Sequence, residues 1–157
     1  MGVKIDGNKA ANGGGIYNTG TLNTMYYAVE ISNNIAAANG GGVYTANGTV
    51  NLLATTTIEK NEAAKKGGGI YTANYVGFGS SAVKDCEAKN GGGIYAASGA
   101  WVEVVGGKVE NCKAKLGGGV YTENGGTVTF SRGNAPLVNG CSAIGSGGGI
   151  FSKGAHC

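Results

Sequence analysis

Residues 89–99 read KNGGGIYAASG: three consecutive glycines, a β-branched residue, then a tyrosine. A glycine loop that cradles phosphate follows a strand and opens a helix, often with a lysine at fixed spacing. No helical pattern follows this one, and the motif is not unique. It recurs as ANGGGIYNTG (11–20), ANGGGVYTANG (38–48), KKGGGIYTAN (65–74), KLGGGVYTENG (115–125) and GSGGGIFSKG (145–154). The stretch is therefore one unit of a repeat, and its glycines read as a tight corner where backbone approaches backbone and φ turns positive.

The triplets begin at Gly13, Gly40, Gly67, Gly91, Gly117 and Gly147, spaced by 27, 27, 24, 26 and 30 residues. Periods of this size mark solenoids and arrays. Between triplets, apolar residues alternate with period two over short runs such as GTVNL, AWVEVV and GTVTFS, which is strand patterning. The expected unit is about three short strands, and stacking such units at about 4.8 Å gives a parallel β-helix. The chain of 157 residues is thus expected to be all-β, a single β-solenoid domain over 1–157 with about six coils of 24–30 residues, forming a rod roughly 25–30 Å long.

Stacking turns each repeated position into a column. Ile16, Val43, Ile70, Ile94, Val120 and Ile150 form a β-branched column placed inside. The next residue faces the other way. Tyr17, Tyr44, Tyr71, Tyr95, Tyr121 and Phe151 are therefore expected as an aromatic ladder on the outer surface. Counting three back from each triplet gives Ala10, Ala37, Ala64, Ala88 and Ala114, read as a narrow inner corner, with Ala143 joining after a one-residue insertion. Counting six back gives Asn34, Asn61, Asp85 and Asn111, a structural amide ladder that bonds from coil to coil and holds register. Counting five back gives Cys86 and Cys112, joined by Cys141 with the same insertion. These are read as stacked buried thiols or as one disulfide.

These motifs carry a resemblance. An Asn or Asp, an alanine, GGGIY and then G-T-V-x-L, recurring every 24–30 residues, resembles the right-handed parallel β-helix repeats of bacterial surface proteins. Such repeats occur in autotransporter and adhesin passengers and in the chlamydial polymorphic outer membrane protein type. The resemblance implies right-handedness and an extracellular or cell-surface location, with a role as stalk, coat or adhesin.

Composition narrows the chemistry. The chain has 33 glycines, one proline, 13% charged residues and a net charge of +3, with Arg132 its only arginine. That is not the arginine-rich footprint of a nucleic-acid binder. No apolar run is long enough to span a bilayer, so no membrane insertion is expected. The aspartates are Asp6 and Asp85, the glutamates are scattered among lysines, and the only histidine is His156. We expect no catalytic, cofactor or metal site and no enzyme, with a polysaccharide lyase or hydrolase as the remote alternative. Lys65, Lys89 and Lys115 read as a solvated edge, and Cys157 as a residue able to link neighbouring subunits. No cap is evident at either end, and the two partial end coils together approximate one full coil, so end-to-end self-association into a filament is expected. The rival is an adhesin that stacks glycan, or another host-surface group, on the tyrosine ladder with Trp101 nearby.

Overall fold

The structure is a computed structural model describing residues 2–131 and 135–154. The readings that fall on Arg132, His156 and Cys157 lie outside the described residues. Within the described residues twenty-three short strands build four parallel sheets, three of six strands and one of five. Every strand pairs with its equivalent one coil away, so the chain is the parallel β-solenoid of about six coils that the repeat predicts.

Each coil has four sides where the repeat suggests three. In the second full turn, sheet C holds Val43–Thr45, sheet D Thr49–Leu52, sheet A Thr56–Glu59 and sheet B Glu62–Lys66. The added side comes from a bend between sheets A and B that is only two residues long, a left-handed residue followed by one that points inward. At that bend Gly7, Asn33, Lys60, Asp85, Asn111 and Gly140 all adopt left-handed φ, from 54° to 68°. Only two of the six are glycine, and so short a bend leaves little turn signature in the sequence. Asn and Asp tolerate this region better than most residues.

The corner between sheets B and C is the glycine triplet. Its first glycine is left-handed in every coil, with φ between 62° and 68°. Its second and third sit against backbone: a Cβ on Gly69 would lie 2.7 Å from the Gly93 carbonyl oxygen. Backbone hydrogen bonds run through the corner as through a sheet, for example Gly41 N to Gly67 O at 3.0 Å and Gly68 N to Gly91 O at 3.2 Å. Close approach of coils at their corners is therefore what three adjacent residues without side chains permit.

One core runs along the rod. Sheet A contributes Ile31, Ile58, Val83 and Val109, sheet C Val43, Ile70, Ile94 and Val120, and sheet D Val50, Val76 and Val102, all fully buried. The β-branched column after the triplet is thus interior in four coils, while Ile16 is partly buried and Ile150 is 37% exposed in the outermost ones. β-branched residues suit a pleated interior because their stiff χ1 fits stacked strands.

Sheet B corrects the reading before the triplet. Ala10, Ala36, Ala63 and Ala88 are in register, followed by Ala114 and Ala143. Ala37 and Ala64 are not in that column; they are exposed on the outer face. The cause is a bulge: Ala63 pairs with Ala88 but Lys66 pairs with Asn90, so some coils carry one residue more between the alanine and the glycines. Counting backwards from the triplet crosses this bulge and slips by one, which exchanges inside for outside.

Candidate functional site

Three sets of side chains are candidates, and the sheets that hold them decide what each can do. The first is the amide ladder. Asn34 and Asn61 are fully buried and bonded in series. Asn34 Nδ2 donates to Asn61 Oδ1 at 3.0 Å and to the Ile5 carbonyl at 3.0 Å, and Asn61 Nδ2 donates to the Ile31 carbonyl at 2.8 Å. Below them Asn8 Nδ2 donates to Asn34 Oδ1 at 3.0 Å, a rung the sequence reading missed because it stands five positions before its triplet. Asp85 and Asn111 do not belong to this ladder. They occupy the exposed left-handed bend, shifted by the same bulge that displaces the alanines.

Their places inside are taken by the cysteines. Asn8, Asn34, Asn61, Cys86, Cys112 and Cys141 each follow the left-handed residue, so amides and thiols form one column. The thiols do part of the amide's work. Cys86, Cys112 and Cys141 place Sγ 3.7, 3.8 and 3.6 Å from the carbonyls of Ile58, Val83 and Val109, the positions equivalent to the Ile5 and Ile31 acceptors. They stand closer, at 3.2, 3.3 and 3.4 Å, to the Lys84, Glu110 and Asn139 carbonyls of their own coil, so the single thiol proton is shared between the two acceptors. All three are free thiols. For Cys112 the contact with Cys141 pulls its pKa down, but Cys86 and burial outweigh it and the net shift is upward. The Cys141 thiol is pushed up by Cys112 and then by burial. The attacking species in thiol chemistry is the thiolate. In a Cys157→Ser variant, titration with a disulfide reagent at neutral pH is expected to leave Cys86 and Cys112 unmodified until denaturant is added; prompt reaction of all three would contradict this placement.

Removing an amide exposes what the ladder holds. Asn61→Ala leaves the Ile31 carbonyl and the Asn34 backbone N–H, which now donates to Asn61 Oδ1 at 2.9 Å, without partners. Such groups cost about 1–3 kcal/mol when orphaned in the interior. A loss of about 2–3 kcal/mol in urea unfolding is expected, against about zero for Asn33→Gly at the exposed bend.

The aromatic ladder is continuous. From Tyr17 through Tyr44, Tyr71, Tyr95 and Tyr121 to Phe151, ring centroids stand 5.0, 4.8, 5.4, 4.8 and 5.1 Å apart. Interplanar angles are 22° or less. It lies on the outer side of sheet C, yet it is not the open stripe the sequence suggests. Tyr17 is 58% exposed, whereas Tyr95 and Tyr121 are buried at 1% and 7%. Ala73, Ala97 and Leu116 pack against them, and Lys66 Nζ stands 4.7 Å over the Tyr95 ring centre. The same ammonium lies 3.0 Å from Glu123 Oε1, which also accepts the Tyr95 hydroxyl; Glu123 Oε2 accepts Ser98 N–H at 3.2 Å. Nothing in the repeat announces this cover, because Lys66 and Glu123 each occur in one coil only.

The cluster has a pH signature. Burial, then the bond to Glu123, raises the Tyr95 phenol above its ordinary value of 10.0. A raised pKa means the folded chain keeps a proton that the unfolded chain releases, so stability falls as pH rises above about 10. Glu123 is held below its ordinary 4.5, chiefly by the Tyr95 hydroxyl and then by Lys66. Its contribution is present above pH 4.5 and is lost as pH falls below it. The Glu123 share is small because the pair is about one third exposed. Melting curves of Tyr95→Phe are expected to show a shallower alkaline limb, the remainder coming from other groups that folding holds protonated, the Cys112 and Cys141 thiols among them; an unchanged limb would exclude Tyr95 as a source.

The charged groups are mostly paired or spread out. Lys84 Nζ is 2.9 Å from Glu59 Oε2, and Lys4 is 3.1 Å from Glu30. Glu62 and Glu87 are neighbours in register on sheet B, while Lys89 and Lys115 sit side by side with Ala64 and Lys65 at the bulge. Among the described residues no three His, Cys, Asp or Glu side chains gather into a set able to hold a metal. No helix there is long and apolar enough to cross a membrane.

Four parallel sheets wound in register, with stacked side chains inside and out, define a parallel β-solenoid repeat protein. A family model described as "Right handed beta helix region" matches residues 1–135, and the chain belongs to that family. A search of curated proteins and one of solved structures each returned no match.

Proposed function

We propose that the chain is a non-enzymatic structural rod that works outside the cell, as a stalk, coat or filament component. The observation that carries this reading is the unbroken run of stacked rings from Tyr17 to Phe151. The amide and aromatic side chains spend their bonding from coil to coil, which stiffens the rod along its axis. Sugar stacking needs free ring faces, and in this ladder both faces of every inner ring are covered by neighbouring rings. The ladder therefore favours a structural role over adhesion through the tyrosines. The extracellular setting rests on the resemblance of the repeats to bacterial surface β-helices.

Self-association follows the same physics. Among the described residues the outermost strands, Val3–Asp6 of sheet A and Ile150–Ser152 of sheet C among them, pair on one side only, and an edge of this kind can accept a further coil. Side chains at these outer coils are apolar and open, with Val3 50%, Tyr17 58% and Ile144 94% exposed. A second copy set against either edge continues the sheets at the same rise, and a heterologous contact that repeats makes a filament. Electron microscopy over a concentration series tests this. Fibres whose length grows with concentration are expected; uniform particles about 30 Å long at the highest concentration would overturn it. A reducing-sugar assay on acidic polysaccharides addresses the non-enzymatic part, since released ends that depend on Glu62 or Glu87 would refute it.

A further inference from the structure

Sheet D carries a second aromatic group that the ladders do not absorb. Its outer rows read Thr21, Thr49, Tyr75, Trp101, Thr127 and Asn23, Asn51, Gly77, Glu103, Thr129 in register. Threonine and asparagine are the ordinary occupants, and the third and fourth coils replace them with Tyr75, Gly77, Trp101 and Glu103. We propose that this face binds a neutral sugar, seated on the Trp101 indole beside Tyr75.

The group is organised before any ligand arrives. Trp101 is 46% exposed, yet its Nε1 donates to Thr129 Oγ1 at 3.1 Å and its ring meets Tyr75 edge to face, with centroids 5.4 Å apart at 74°. Gly77 makes room for Tyr75: a Cβ there would fall 2.9 Å from the phenol Cζ. The Tyr75 hydroxyl reaches across that gap to donate to Glu103 Oε2 at 2.9 Å, and Ser131 Oγ donates to Glu103 Oε1 at 3.0 Å. Ring, phenol and carboxylate are thus positioned as a unit, and a rigid aromatic loses little conformational freedom on binding.

The occupant follows from the chemistry presented. A sugar ring has an apolar C–H face and a rim of hydroxyls, which suits an exposed indole bordered by hydrogen-bonding groups. A carboxylate offers about four acceptor sites, of which Tyr75 and Ser131 use two. The remaining ones can take sugar hydroxyl protons. The negative charge of Glu103 repels uronates and sulfated sugars, which selects neutral glycans. This site goes beyond the rod reading and does not depend on it, because it uses a different kind of aromatic: one that is 46% exposed and meets its neighbour at an edge angle of 74° rather than sandwiched between stacked rings.

Trp101 is the only tryptophan in the chain, so its fluorescence reports this face directly. The full chain is titrated with maltohexaose, cellohexaose and mannohexaose, with trigalacturonic acid as the acidic arm. A saturable blue shift with at least one neutral oligosaccharide is expected. Calorimetry should then show binding abolished in Trp101→Thr, the residue type that fills the same row at Thr49 and Thr127 and so disturbs the sheet least. Tyr75→Phe, which releases Glu103, should weaken binding about tenfold with the fold intact by circular dichroism. No shift with any of the three neutral sugars, a shift with trigalacturonic acid alone, or unchanged calorimetric binding in Trp101→Thr would overturn the proposal.

Discussion

Gly68→Ala is expected to lower the thermal midpoint by roughly 6–12 °C, because a loss of about 3 kcal/mol moves a chain of this size by that much. Gly68 is the middle residue of its triplet. A Cβ placed there meets the carbonyls of Glu87 and of Gly92, with the Glu87 carbonyl carbon at 2.6 Å. Both are backbone atoms held in the inter-coil hydrogen bonds, so neither can swing aside as a side chain would. Overpacking usually costs about 1–3 kcal/mol, and a collision with fixed backbone belongs at or above the top of that range. Gly79→Ala is the control. It has nothing within 4 Å of the added carbon and its φ is not positive, so the midpoint should stay within about 1 °C, as for an ordinary surface substitution. Equal effects from the two substitutions would mean that the triplets are not close corners.

Tyr95→Ala is expected to cost roughly 3–5 kcal/mol in chemical denaturation, the range for removing a large buried aromatic. Tyr95 is 1% exposed, stacked on Tyr71 and Tyr121, capped by Lys66 and bonded to Glu123. Its loss opens a cavity, breaks the ladder in the middle and leaves Glu123 and Lys66 without their aromatic partner. Tyr17→Ala at the exposed end of the same ladder should cost under about 1 kcal/mol. The contrast separates two roles for one column. If the ladder is a structural spine, stability follows burial along it; if the two substitutions cost the same, the stacking contributes little.

The gradient along the ladder also shows where the repeat misleads. In the sequence Tyr17 and Tyr95 are equivalent, each the second residue after a glycine triplet. In the structure one is open and the other covered, because Leu116, Lys66 and Glu123 come from single coils and reach over the ladder from its two sides. A repeat predicts what is common to all coils. It is silent on what one coil does to its neighbour, and the Tyr75–Trp101 group on sheet D is invisible to it for the same reason.

The repeat alone reveals the parallel coil, the interior Ile and Val column and the stacking of the aromatic column, all of which follow a triplet. The physical reason is that the left-handed glycine fixes the corner geometry in every coil, so register after it is constant from Gly13 to Gly147. Packing between coils sets the rest: the cover that single coils lay over the aromatic column and the facing of everything that precedes a triplet. There a bulge in sheet B absorbs a one-residue difference between coils, and the pairing of Ala63 with Ala88 shifts inside to outside. Hydrogen bonding between coils, not spacing along the chain, therefore assigned Cys86, Cys112 and Cys141 to the amide column and moved Asp85 and Asn111 out to the left-handed bend.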